Sequence, residues 1–165
     1  MKTIGSHPGA ILFRLGLMFI LIAILMIVFL SYLDETERVL ERTSVLQTKK
    51  IIDSSLAVVF ATYAVNNRLD ELDKLDGGNP FVFLQEFEIL PPAYVGATDS
   101  DLTADQAPGW YYLSHRRIVV YKSRFIESDS YFKVMLNYDD RNQSGSFESN
   151  ADKFRNLQFV KKIEL

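Results

Sequence analysis

Few residues in this chain are of a type that does chemistry. His7 and His115 are the only histidines, and cysteine is absent. That removes disulfides, thiol catalysis and cysteine-ligated metal. His115 stands beside Arg116 and Arg117 in a stretch that reads as a hairpin turn, with no partner at metal-ligand spacing. A Ser-His-Asp relay would have to use it, and no Gly-x-Ser-x-Gly elbow accompanies it. No feature suggests catalysis by paired carboxylates. The expectation is a protein with no catalytic residues and no enzymatic activity.

Two loops carry oxygen ligands at calcium-like spacing. Asp99-x-Asp101-x-Thr103 begins well, but Ala104 stands where the sharp turn needs glycine and Trp110 where a bidentate glutamate belongs. Asp140-x-Asn142-x-Ser144-Gly145 fits better over its first six positions, with Glu148 at the ninth. Its twelfth position is Ala151, and its flanks read as strands rather than helices. Polar turns are the expectation for both, with Asp140, Asn142, Ser144 and Glu148 as the calcium candidates; otherwise no cofactor is expected. Trp110, Tyr111 and Tyr112 form the remaining cluster. Exposed, they would be anchors for a protein partner; in a strand, such residues more often fill a core on one face and cover it on the other.

The elements that position these residues can be read from pattern. Trp110–Leu113, Arg117–Phe125, Tyr131–Tyr138 and Leu157–Ile163 read as four strands. In the third, Phe132, Val134, Leu136 and Tyr138 share a face opposite Lys133 and Asn137. Close spacing predicts an antiparallel meander. Asn79-Pro80 reads as the start of a short helix running through FVFLQEFEIL to Pro91-Pro92. Residues 96–109 read as a polar loop. Residues 34–66 contain neither glycine nor proline, and Val45, Ile52, Leu56, Val59 and Tyr63 fall on one helical face. The charged first half, to Lys50, is expected to be solvated and the second half buried, and Asn66-Asn67 to end the helix. A helix covering such a sheet is an α+β domain.

Ahead of this helix, residues 15–33 are uncharged and almost all Leu, Ile, Met, Val and Phe. Nineteen residues of helix cover roughly 28 Å, about the thickness of a bilayer's hydrocarbon. Leu15, Gly16, Phe19, Ile22, Leu25, Phe29 and Leu33 are the expected anchor positions. The stretch is longer than a signal-peptide core and no small-x-small site follows it, so an uncleaved signal anchor is expected. Lys2 and Arg14 precede the span, while Asp34, Glu35 and Glu37 follow it. This predicts a cytoplasmic N-terminus (1–14) and an exported remainder. That remainder has 16 basic and 21 acidic residues, a balance unsuited to nucleic acid or to anionic lipid surfaces. The expected organisation is therefore residues 1–14, a span over 15–33, a stalk and core helix over 34–66, and an α+β domain over 67–165. One continuous helix would serve both membrane and core.

This plan resembles that of type IV pilins and type II secretion pseudopilins, in which a membrane helix continues into a domain covered by a four-stranded antiparallel sheet. Local residues add to it: Asn79-Pro80-Phe81, Leu84, Tyr94-x-Gly96, Pro108-Gly109-Trp110-Tyr111-Tyr112 and Val119-Val120-Tyr121 are similar to the pseudopilin sheet region. Over most of the chain, Arg42-Thr43-Ser44-Val45-Leu46 through Ala64-Val65 resembles the MshF family, accessory proteins of the mannose-sensitive haemagglutinin (MSHA) pilus. The chain departs from prepilins at the processing site. Gly5, Gly9 and Gly16 are followed by Ser6, Ala10 and Leu17, and the fifth positions after them are Ala10, Arg14 and Leu21 instead of glutamate. The resemblance thus implies a pilin-like protein that stays uncut in a bacterial inner membrane with its domain in the periplasm. It further implies that the protein assists pilus assembly by contacting pilins or the assembly platform. Membrane lipid and those proteins are the expected partners; nucleic acid and small-molecule substrates are not expected. A minor pilin that enters the fibre and a sensory or ligand-binding domain on a membrane stalk are the alternatives.

Overall fold

A computed structural model describes residues 8–126 and 128–162. Lys2, His7 and Ile163, used in the readings above, lie outside them. The chain divides into two compact units, residues 1–40 and 41–165. Helix α1 (Pro8–Val65) is continuous, as the absence of glycine and proline over residues 34–65 predicts, and Gly16 does not interrupt it. In the first unit Leu15, Phe19, Ile22, Leu25, Phe29 and Leu33 are all exposed, as is Gly16. A surface this apolar is unfavourable in water. By length and composition α1 can cross a membrane, and none of its most apolar window is buried in the protein.

The second unit is α+β. After α1 come a 3-10 turn (Leu69–Leu75), a short helix α2 (Pro80–Glu86), and strands β1 (Tyr94–Thr98), β2 (Gly109–Leu113), β3 (Ile118–Lys122), β4 (Ser130–Asp139) and β5 (Lys153–Lys162). The strands form one mixed sheet in the order β1-β2-β3-β4-β5. Every pair is antiparallel except β1 and β2, which run parallel. The expected four-stranded antiparallel sheet is corrected on both counts. The added strand, Tyr94–Thr98, overlaps the supposed polar loop, and the ten residues from 99 to 108 supply the crossover that a parallel neighbour requires. That crossover serves the outer face of the sheet, where the Tyr111 hydroxyl donates to Ala107 O at 2.8 Å and Leu102 lines a small cleft with Leu113 and Val120.

Helix and sheet meet over one core. Ile52, Leu56 and Val59 of α1 are buried with Trp110, Val119, Phe132, Val134, Leu136, Leu157 and Phe159 of the sheet, while Val45 and Tyr63 pack at the margin. Aromatic rings dominate the centre: Trp110 lies within tilted-contact range of Phe81, Tyr121, Phe132 and Phe159, and Phe132 stacks on Phe159. Asn79 caps α2 as expected, its side chain accepting from Phe81 N at 3.0 Å. The helix ends sooner than the Pro-Pro pair suggests. Glu88 takes a positive φ of 58° and Ile89 N returns to Leu84 O, closing the helix after two turns.

The β1–β2 junction depends on Gly109. Its φ is +146°, and a Cβ there would sit 2.5 Å from Ala93 O and 2.8 Å from a Val95 methyl. Ala93 O is also the acceptor for Trp110 N. The backbones thus approach too closely for a side chain, at a φ that L-residues rarely adopt. Gly109→Ala is expected to lower stability by about 1–3 kcal/mol, measured by urea unfolding of the full chain in detergent, with hydrogen exchange rising first at Tyr94–Thr98.

Candidate functional site

The most heavily wired group in the described residues is a glutamate on α1. Glu41 is 8% exposed. Its Oε1 accepts from the Tyr121 hydroxyl at 3.0 Å and from Arg124 N at 2.8 Å; its Oε2 accepts from Ser123 Oγ at 2.8 Å and Phe125 N at 3.0 Å. Burial by itself would raise the Glu41 pKa. The two backbone amides and two hydroxyls outweigh it, and the carboxyl is held below the ordinary glutamate value. Tyr121 responds in the opposite sense: burial, then its bond to Glu41, push the phenol well above its usual range. The segment between β3 and β4 is thereby fastened to the helix. It is braced internally by Asp129 Oδ1, which accepts from Ser123 N, and by Ser123 Oγ, which accepts from Ile126 N.

Two further acids act as staples between elements. Asp53 of α1 accepts from Phe159 N of edge strand β5 at 2.8 Å and pairs with Lys49 at 2.6 Å. Lys49, which interrupts the apolar pattern, thus orients the acid that caps the sheet edge. Asp76 follows the 3-10 turn. Its carboxylate pairs with Lys133 at 2.8 Å and accepts from Leu136 N at 3.1 Å, and its carbonyl accepts from Arg117. Next to it, Gly77 N donates to Val134 O and Gly77 O accepts from the Tyr112 hydroxyl. Sequence reasoning passed over all three acids. A signal for Glu41 was present: stepping back four residues along the buried stripe from Val45 lands on it.

The predicted site residues fall as follows. Trp110 and Tyr111 are 1% and 6% exposed and Tyr112 is half-buried, so Trp110 and Tyr111 offer no surface to a partner in this fold. Trp110 and Tyr112 face the helix side of the sheet. His115 lies 3.3 Å from Asp101, which Arg116 also approaches at 3.4 Å, on the exposed turn after β2. The candidate calcium loop is brought together, but by its own amides. Asp140 accepts from Ser144 N and Gly145 N, Asn142 joins Ser144 N to Glu148, and Asp152 accepts from Arg141 N and Glu148 N. Both oxygens of each aspartate are therefore directed at backbone N–H groups. No cluster of three or more His, Cys, Asp or Glu side chains at metal-holding distance occurs among the described residues.

Comparison with known proteins finds no family model, no curated protein and no solved structure that matches the chain. The fold and site define a class by architecture: an α+β unit carried on a helix that is long and apolar enough to cross a membrane.

The Glu41 geometry makes a signed prediction. A carboxyl whose folded-state pKa is lowered stabilises the fold above its unfolded value, and that contribution is lost as pH falls through the folded-state pKa. The loss therefore belongs below the ordinary value of 4.5. Glu41→Gln, which in either orientation turns an amide donor toward one backbone N–H and one hydroxyl, is expected to cost about 2 kcal/mol at neutral pH. It should also flatten the acid limb of a stability–pH curve in that window; an unchanged limb would contradict the arrangement.

Proposed function

We propose that this chain is a single-pass, non-enzymatic component of type IV pilus assembly, of the MSHA-pilus MshF kind. In this reading it is held uncut in the bacterial inner membrane with its α+β unit in the periplasm, where it contacts pilins or the assembly platform. The observation that carries the reading is α1 itself. One unbroken helix, Pro8–Val65, supplies a membrane-length apolar stretch and, from Glu41 onward, the central helix of a sheet-covered core. This is the economy of a pilin, in which anchor and fold share one element. None of the glycines near the span is followed at its fifth position by the glutamate of a prepilin processing site, which favours a resident accessory protein over a polymerising subunit.

The described chemistry agrees with a role in contact. The acids with the most hydrogen bonds serve backbone amides, and the exposed His115 pairs with a surface aspartate.

Two measurements test the proposal. The native protein should sediment with inner membranes after a high-salt wash and carry its apolar segment by intact mass; a mature form beginning near residue 34 contradicts the anchor. Deleting the gene should reduce surface pili while the major prepilin remains in the inner membrane, and photo-crosslinkers placed over residues 34–50 should capture pilins or platform proteins. Normal piliation in the deletion strain overturns the assembly role.

A further inference from the structure

The outward face of α1 beyond Asp53 has no charge. Residues 54–65 read SSLAVVFATYAV. Of these, Leu56 and Val59 are buried in the core while Val58 is 52% and Val65 85% exposed. A surface helix ordinarily turns charged residues to water along such a face. Instead Ile51, Ser54, Val58, Ala61 and Val65, all exposed, step by 3, 4, 3 and 4 residues, the repeat of a coiled-coil seam. The apolar surface continues sideways. A groove lined by Lys50, Ile51, Ser55, Val58, Phe87 and Ile89 joins the helix to the turn after α2, and Phe87, Ile89 and Leu90 are themselves exposed. A contiguous patch of this kind marks an interaction surface rather than scattered apolar residues.

We propose that this face binds a second copy of the same chain, forming a parallel two-fold dimer along α1. Three features select that occupant. The seam puts β-branched Ile51, Val58 and Val65 at alternate core positions, where such residues favour two parallel strands, with the small Ser54 and Ala61 at the intervening positions that Leu more often fills. Copies anchored in one membrane by the same N-terminal segment all carry their α+β units on the same side, which favours a parallel pair over an antiparallel one. The rim is self-complementary in charge: Lys50 lies on the helix side of the patch, and Glu86 and Glu88 flank Phe87 on the other. A two-fold axis along the helix exchanges the two sides, bringing each Lys50 to the acidic turn of its partner and keeping like charges apart. The proposal rests on the membrane anchoring in the reading above and is independent of any role in pilus assembly.

Because the chain has no cysteine, single substitutions report the contact without background. Val58→Cys and Val65→Cys, each in the full-length protein in native membranes, should form disulfide-linked dimers on mild oxidation. Asp99→Cys, exposed in the crossover loop, should remain monomeric. Adding Val58→Lys to Val65→Cys should cut the dimer fraction roughly tenfold while the protein stays folded, since Val58 is half exposed in the single chain; an unchanged dimer fraction overturns the seam. Cross-linking of Val58→Cys and Val65→Cys no greater than that of Asp99→Cys, in protein that sediments with the vesicles, overturns the dimer and leaves the anchor standing. Cross-links made only to a different protein overturn it equally. Protein that fails to sediment removes the parallel arrangement together with the anchor.

Discussion

A carboxylate taken out of water is costly unless its lone pairs are used, and Glu41 meets that requirement with four donors drawn from one short stretch of chain. Three of them, from Ser123, Arg124 and Phe125, lie past the end of β3 in the segment leading to β4; the fourth is the Tyr121 hydroxyl. The turns below Glu41 on the same helix face bury Ile52, Leu56 and Val59 against the sheet, and Asp53 reaches around to the free edge at Phe159. The sheet's apolar face, its β3–β4 connection and its β5 edge are therefore all satisfied by one helix. Removing α1 would expose the core and orphan polar groups at both places. This division of labour explains why the face of the helix from Glu41 to Val59 buries Glu41 together with Ile52, Leu56 and Val59.

The two faces of that helix are not equivalent. The inner one pairs each acid with a donor. The outer one, from Ser54 onward, carries no charge and leaves Val58 and Val65 in the open. A surface of this kind is a liability when left bare to water, and it is the face that the proposed dimer would cover. Earlier in the chain, the exposed residues Leu15 to Leu33 form an apolar helical surface long enough to cross a membrane.

Much of this was legible from residues alone. The stripe from Val45 to Tyr63, the Asn79-Pro80 start of α2, the turn at His115 and the alternation of β4 follow from elementary periodicity, and the structure places them accordingly. Strand β1 was hidden because Gly96 and a register shift between Tyr94 and Gly96 interrupt its alternation within a polar-looking stretch. The early start of β5 was hidden for a related reason. A bulge opposite Asn137 and Tyr138 puts Phe154 and Leu157 three residues apart although both face the core side, and Phe154 stacks on Phe60. The acid staples were hidden because a charge in a charged helix turn looks solvated. Only the tertiary positions of Arg124 N, Phe125 N and Phe159 N reveal what Glu41 and Asp53 are for. The burial of Tyr111 likewise depends on the crossover loop, which no local pattern announces.

One face of α1 both closes the core and fastens the β3–β4 connection, which ties the two into a single cooperative unit. Amide hydrogen exchange of the full-length protein in lipid nanodiscs reads this directly. The account predicts that the amides of Arg124 and Phe125 are as protected as those of the β3 and β4 strands, and that they open together with residues 41–59 of the helix. Rapid exchange at Arg124 and Phe125 while that helix segment stays protected would contradict it.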